Sequence, residues 1–316
     1  MLAVTTSVLA SAQVAAAEDA YPTRPIRLIV PFPPGGPTDV MGRLISQALS
    51  DQLRQQVYVD NRPGAGSTLA GKIAANAEPD GYTLLLGSAA TLAIGPTLYR
   101  DIKYDPKRFE PVAMVAEVPY VMVTSPKAPV ANFADLIAYA QNASGQAQFR
   151  RAERRAAAHA RRVVQKPHQY RCRAGDLSRW RQCTERSVGR QIDLAIETCS
   201  ILLPQLRDGK LRPLGTPSPK RLDILPDVPT MAENGVPGFI ASSWTGIVAP
   251  PGTSKQIIDK LNRATNAALK DSATQAKLKP LEAQAMFGTP ADYADFLVSE
   301  LPKWTAMAKL SGAAAE

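Results

Sequence analysis

Past residue 20, the hydrophobic pattern alternates short unbroken apolar runs with longer stretches at helical spacing. Ile26-Arg27-Leu28-Ile29-Val30 is apolar at all but one position, the pattern of a strand buried on both faces. After Pro31–Pro37, the spacing Met41, Leu44, Ile45, Ala48, Leu49 predicts an amphipathic helix capped by Thr38 or Asp39. Val57-Tyr58-Val59 predicts a second strand, leading through Asn61-Arg62-Pro63-Gly64-Ala65-Gly66-Ser67 into a helix over Thr68–Ala77. Tyr82–Leu86 begins a third unit, followed by Gly87-Ser88-Ala89-Ala90 and a helix from Thr91. Strand, loop and helix in alternation predict a parallel sheet covered on both faces.

The rest of the chain is patterned less regularly. Glu117–Thr124 and Ser242–Val248 read as strands far apart in sequence, suited to be the two crossings between lobes. Between them come a helix over Asn132–Ala140, a strand over Ile192–Ile196, a helix over Ile201–Leu206 and a strand over Leu211–Leu214. The tail predicts two helices. One is capped by Thr253 or Ser254, and the other starts at Thr289-Pro290 and is kinked by Pro302. The expected organisation is therefore a first lobe over 21–116 plus 245–316 and a second over 117–244.

Met1–Ala17 is a different kind of segment. An apolar stretch, Leu2–Ala10, is followed by small residues with an A-x-A site at Ala15-Ala16-Ala17. That predicts a secretory signal over 1–17, cleaved near Glu18, although the positively charged front of such a signal is missing. No later apolar run approaches the roughly 20 residues a membrane helix needs, so a soluble, exported protein is expected.

Charge changes the picture at one place only. The chain nets +9, which by itself would invite a nucleic-acid partner. Residues 148–190, however, hold twelve Arg and one Lys against Glu153, Asp176 and Glu185, a net of +10, and the remainder nets −1. His159, His168, Cys172 and Cys183 lie in the same island. Cys172, Cys183 and Cys199 form no C-x-x-C pair, so neither zinc nor redox chemistry is implied, and no catalytic constellation emerges. Asp193 and Glu197 lie four apart at a strand end, suited to orient loop amides or flank a ligand. Trp244 reads as hinge or cleft packing, or as a stacking face for an aromatic acid.

The candidate chemistry is concentrated in the three loops of the first lobe. Each lies at the carboxyl end of a parallel strand and feeds a helix N-terminus, where free N–H groups favour an anion. Gly35-Gly36 and Gly64-Ala65-Gly66 let backbone approach a ligand closely, Pro33 and Pro34 stiffen the first loop, and Phe32 offers an apolar wall. No phosphate-cradling G-x-G-x-x-G or Gly-Lys-Ser/Thr is present.

Pro22–Asp39, with its Val30-Pro31-Phe32-Pro33-Pro34-Gly35-Gly36-Pro37-Thr38-Asp39 core, resembles the start of the Bug-type (TctC-like) receptors of tripartite tricarboxylate transporters. Asp60–Ser67, Glu78–Leu84, Leu211-Arg212-Pro213-Leu214, Leu225–Thr230 and Ser243-Trp244-Thr245-Gly246 match the same family in order. The resemblance implies an α/β, two-lobe periplasmic binding protein of the Venus-flytrap type (type II) with parallel-rich sheets. It also implies a monomeric, non-enzymatic periplasmic receptor without cofactor, passing a small carboxylate to integral-membrane permease subunits. An amino, dicarboxylic, tricarboxylic or aromatic acid would suit, and no nucleic-acid partner is expected. Carried over, the site comprises Phe32, Gly35, Gly36, Thr38 and Asp39 in the first loop. Ala65, Gly66 and Ser67 follow in the second, and Ser88 and Ala89 in the third. Asp193 and Glu197 join the candidate site from the second lobe by their own place at the strand end, not by the resemblance.

The resemblance stops between about Phe149 and Arg190. An Arg-rich anion-binding insertion and a solvated basic helix are two readings of this island. Two compensating frameshifts fit better. Codons chosen for Gln182–Arg190 and read one base on give Ser-Ala-Pro-Ser-Asp-Leu-Leu-Gly-Gly, which continues into Gln191-Ile192-Asp193-Leu194 as a family-like segment. A shifted island would leave the second lobe perturbed, because twelve arginines cannot be buried without partners.

Overall fold

A computed structural model describes residues 21–99, 102–141 and 194–310. The first strand, β1 (Ile26–Val30), is buried except at Arg27, as its apolar run requires. Helix α1 (Pro37–Leu53) buries Met41, Ile45, Ala48 and Leu49 and crosses the sheet closely at Gly42, where a Cβ would meet Val30 Cγ2 at 2.8 Å. Strand β2 (Val57–Asn61) pairs parallel with β1 in the register Ile26–Val57 to Val30–Asn61. Helix α2 (Thr68–Ala75) leads to β3 (Thr83–Ser88), which flanks β1 on its other side, again in parallel. A π-helical turn, Ala90–Ile94, and the short α3 (Gly95–Leu98) follow. Strand β4 (Glu110–Thr124) is longer than its pattern predicted, because Val112–Ala116 continue the buried run toward the N-terminus.

The chain divides into two compact units. In the second, Glu117–Ser243 with Lys279–Gln284, the distal half of β4 is flanked by two antiparallel strands. Helix α4 (Phe133–Gln141) starts with Asn132 Oδ1 accepting from the Asp135 N–H at 2.9 Å. Strand β5 (Ala195–Thr198) and helix α5 (Cys199–Arg207) precede β6 (Arg212–Gly215). Two small cores form there, one around Val121, Val123, Leu202 and Leu211 and one around Met122, Phe133, Leu136 and Met231. Cys199 is fully buried, and burial pushes its thiol up to about 12, so it acts as a packed apolar residue. The Arg-rich island 149–190 lies outside the described residues.

Strand β7 (Ser242–Ala249) then enters the first unit and lies antiparallel to β3, with Leu85 opposite Val248 and Gly87 opposite Gly246. The first unit's sheet thus runs β2-β1-β3-β7-β4, with its first three strands parallel and β7 antiparallel to β3. Helix α6 (Lys255–Lys270) carries an apolar stripe of Ile257, Ile258, Leu261 and Leu269 and packs on α1. Ser254 caps it, accepting from the Ile257 N–H. Helix α7 (Ser272–Leu278) is an addition to the expected tail, begun where Asp271 accepts from the Thr274 N–H at 2.9 Å. Helix α8 (Pro290–Leu310) starts as expected and runs as one helix through Pro302.

Trp244 is 1% exposed in the first unit's core, against Phe296 at 5.4 Å between ring centroids, so a stacking role in a cleft is not open to it. Its Nε1 donates to Glu300 Oε2 at 3.2 Å, and Trp304 Nε1 donates to the same oxygen at 2.8 Å. Among the described residues, no helix is long and apolar enough to cross a membrane.

Candidate functional site

The first loop is built from residues that cannot extend a strand. Pro31, Pro33 and Pro34 have no N–H to offer a sheet, and Gly35 takes φ 84°, which a side chain would resist. Gly36, not Thr38 or Asp39, is the N-cap of α1, because Pro37 with its preset φ occupies the first helical position. Asp39 therefore sits in the first turn and turns back toward the loop. Its carboxylate is 2% exposed. Oδ2 accepts from the Gly35 N–H at 2.8 Å and from Arg43 Nε at 3.0 Å, while Oδ1 accepts from Asn61 Nδ2 at 2.9 Å. Burial alone would raise the Asp39 pKa. The hydrogen bonds from Arg43, Gly35 and Asn61, with the Arg43 charge, outweigh it and hold the carboxyl below the usual aspartate range.

The second loop is held by the backbone. Ala65, Gly66 and Ser67 are three consecutive left-handed residues, at φ 46°, 58° and 76°. For the two non-glycines this conformation costs on the order of 1–2 kcal/mol each. The Ser67 N–H donates to Gly64 O at 2.9 Å and Thr68 Oγ1 to Ala65 O at 2.7 Å, which closes the turn onto α2. Gly66 lies under the Tyr99 ring, where a Cβ would come within 2.4 Å of Cε2.

The third loop is the end of β3 itself. Ser88 closes the strand, Ala89 is buried, and the chain winds into the π-helical turn rather than an α-helix from Thr91. Wide turns of this kind are rare and are frequently found at functional sites. Tyr104 OH donates to Thr91 O at 2.6 Å and braces this turn.

The sheet brings the three loops to one edge, since Val30 pairs with Asn61, and β3 runs alongside β1 and ends at Ser88. Asn61 Nδ2 also donates to Phe32 O at 3.0 Å, tying loop one to the start of loop two. A Cβ on Gly95 would meet Thr68 Cγ2 at 2.7 Å and Gly66 O at 3.3 Å, so loops two and three touch as well. Phe32, Gly35, Gly36, Thr38, Asp39, Ala65, Gly66, Ser67, Ser88 and Ala89 are thus neighbours on one rim of the first unit. Ser67 Oγ, Ser88 Oγ and Thr91 Oγ1 are buried hydroxyls with no partner among the described residues. Such groups are costly to leave unmet.

The nearby cations are committed elsewhere. Arg43 pairs with Asp39, and Arg27 and Arg62 both pair with Asp60. An anion at these loops would meet amides and hydroxyls rather than a guanidinium clamp. Among the described residues, no group of three His, Cys, Asp or Glu side chains is placed to hold a metal. Glu197 belongs to the second unit, where its Oε1 accepts from the Thr198 N–H at 2.7 Å. Asp193 lies outside the described residues. Residues that sequence reasoning passed over are Asn61, Tyr99 and Thr91. Of these, only Asn61 carried a signal, as an amide side chain at a strand end just before Arg-Pro-Gly.

The model of the tripartite tricarboxylate transporter family receptor matches residues 41–312. Protein BugT of Bordetella pertussis is 37% identical over 99% of this chain and 98% of its own length. Among solved structures, R. palustris Rpa4515 with adipate is 30% identical with a TM-score of 0.70, covering 94% of this chain and all of that one. MatC from Rhodopseudomonas palustris with bound malate is 27% identical with a TM-score of 0.69, covering 91% of this chain and all of that one. The α/β fold, the match along nearly the whole chain and the loop-built rim agree. This chain belongs to the tripartite tricarboxylate transporter receptor family, whose members are periplasmic solute-binding proteins rather than enzymes.

Proposed function

We propose that this chain captures a small carboxylate on the three loops of its first unit and delivers it to the integral-membrane subunits of a tripartite transporter. The observation that carries this reading is the set of buried hydroxyls of Ser67, Ser88 and Thr91, which lack a partner among the described residues, from the end of β3 and the segments that follow β2 and β3. Carboxylate oxygens, directly or through water, supply the acceptors such hydroxyls lack. The strained Ala65–Ser67 turn supports it, because backbone held in this region persists where function requires it. Relatives solved with adipate and malate bind dicarboxylates, and an acid of that size is the first choice here. The two units act as the lobes of the receptor, and Met1–Ala17 is its export signal. The protein works as a monomer in the periplasm, without cofactor or nucleic acid.

The test is titration of the purified chain with adipate, malate, citrate, glutamate and benzoate, followed by calorimetry and thermal unfolding. A ligand at a hundred times its Kd adds about 2.7 kcal/mol to stability. A chain that none of these acids stabilises at millimolar concentration does not carry this function.

A second reading rests on the net +10 packed into residues 148–190. It makes the chain a frameshifted relic with an intact first half-site, or a basic scaffold for polyanions. The nucleotide sequence across codons 145–195 decides the frameshift. A salt-sensitive nucleic-acid shift abolished by deleting 149–190 would favour the scaffold.

A further inference from the structure

Three side chains close a ring at the base of the first two loops. Asp39 accepts from Arg43 and from Asn61, and Arg43 Nη2 in turn donates to Asn61 Oδ1 at 3.3 Å. The ring has two outward attachments, both to loop-one backbone: Asp39 takes the Gly35 N–H, and Asn61 donates to the Phe32 carbonyl. Asn61 is the last residue of β2, and the next residue starts loop two, its N–H donating to Val30 O at 2.8 Å. Both amide hydrogens and the carbonyl oxygen of Asn61 are used, a saturation only an Asn fits here. Asp lacks the donors, and Ala lacks everything.

A simpler account treats Asp39 as a helix cap, an acidic side chain in the first turn of α1 reaching back to a loop N–H. That account explains the Gly35 bond. It does not explain why a side chain from a different strand completes the carboxylate's shell and holds a carbonyl three residues before Gly35.

We infer that Asn61 is a positioning residue: through Asp39 and Phe32 it sets the conformation of loop one from the strand that launches loop two, so that the two loops are ordered as one surface. Its effect on ligand rests on the carboxylate reading above, but the coupling itself does not. Asp39 on this view is a strut, spending both oxygens on protein donors. The Gly35 N–H is spent as well, and the loop offers a ligand its remaining amides.

Hydrogen exchange read by mass spectrometry tests the coupling without a ligand. Residues 32–39 contain three prolines, so only Phe32, Gly35, Gly36, Thr38 and Asp39 carry exchangeable backbone amides, and one peptide reports them. Asn61→Ala touches none of these amides, yet it should lower their protection about tenfold while those of α6 change less than about twofold. A loop that exchanges at the wild-type rate in Asn61→Ala, and faster only in Asp39→Asn, leaves Asp39 a helix cap and overturns the inference. Where Asn61→Ala loosens the whole unit, Asn61→Asp decides instead. It sets two carboxylates around Arg43, with Asp60, Arg27 and Arg62 the nearest other charges, so loop-one protection should be low at neutral pH. It should recover on acidification, when one carboxyl takes a proton and can donate to the other. Protection that shows no recovery sinks the coupling. Binding of adipate or malate, measured on the same variants, should weaken about tenfold. If the wild type binds none of the five acids named above, the carboxylate reading fails while the exchange result still stands.

Discussion

Loops one and two occupy equivalent places at the ends of neighbouring parallel strands, yet they are held by opposite means. Loop one is set by side chains, with Asp39, Arg43 and Asn61 forming a saturated ring about a backbone of prolines and glycines. Among the described residues, loop two has no such ring. Its backbone is forced through three left-handed residues and pinned under Tyr99. One loop depends on charge and hydrogen bonds, the other on shape and strain, so different perturbations should break each.

The largest effect is expected at Gly66, the point of closest packing in loop two. Gly66→Ala would drive a Cβ against the hydroxyl end of the Tyr99 ring, within 2.4 Å of Cε2, and urea unfolding should show a loss of about 2–4 kcal/mol. Tyr99→Ala in the same chain should return a good part of it. A Gly66→Ala protein as stable as wild type would mean that loop two is not held by shape.

Asp39→Asn comes next and attacks loop one by charge. It should cost about 1–2 kcal/mol at neutral pH, the scale of a buried hydrogen-bonded charge losing its partners. The sign follows from a folded-state pKa below the unfolded value. Asp39's contribution is present above the ordinary aspartate value of 3.8 and is lost as pH falls through the lower folded value. Wild type and variant should therefore converge in denaturation curves below that value. A gap that persists in strong acid would show the contribution to be steric.

Ser67→Ala removes a buried hydroxyl that has no partner among the described residues. The ligand-free protein should gain up to about 1 kcal/mol, since no hydrogen bond is lost and a polar group leaves the interior. Affinity for adipate or malate should fall several-fold at the same time. Stability and affinity moving together would deny Ser67 a place at the ligand.

The smallest change is Ala65→Gly. Relief of the left-handed strain, less the entropy a glycine adds to the unfolded chain, should leave a gain of about 0.5 kcal/mol in calorimetric melting. A loss instead would mean the strain at Ala65 is already compensated.

The sequence announced loop one more fully than loop two. Pro33 and Pro34 restrict backbone and Gly35 and Gly36 free it in ways that can be read residue by residue, and the N-cap expectation of Thr38 or Asp39 erred by two or three positions. It missed because Pro37 fixes where the helix starts, which frees Asp39 from capping. In loop two only Gly66 signalled a left-handed backbone; Ala65 and Ser67 adopt it because closure onto Thr68 and the overlying Tyr99 impose it. The π-helical turn after Ser88 was invisible for a similar reason. Its apolar residues suit an α-helix, and nothing in their spacing marks the wider turn. The antiparallel entry of β7 was beyond periodicity as well, because a buried strand reads the same in either direction.

The convergence of two indoles on Glu300 has an optical consequence. The chain has three tryptophans, Trp180, Trp244 and Trp304, and the latter two share one carboxylate oxygen inside the first unit. Trp180 falls in the Arg-rich island. In a Trp180→Phe chain, selectively excited tryptophan emission would come from the first unit alone, and its maximum would follow that unit's melting without contribution from the other. The receptor thus carries a built-in dye on the side that holds the three loops.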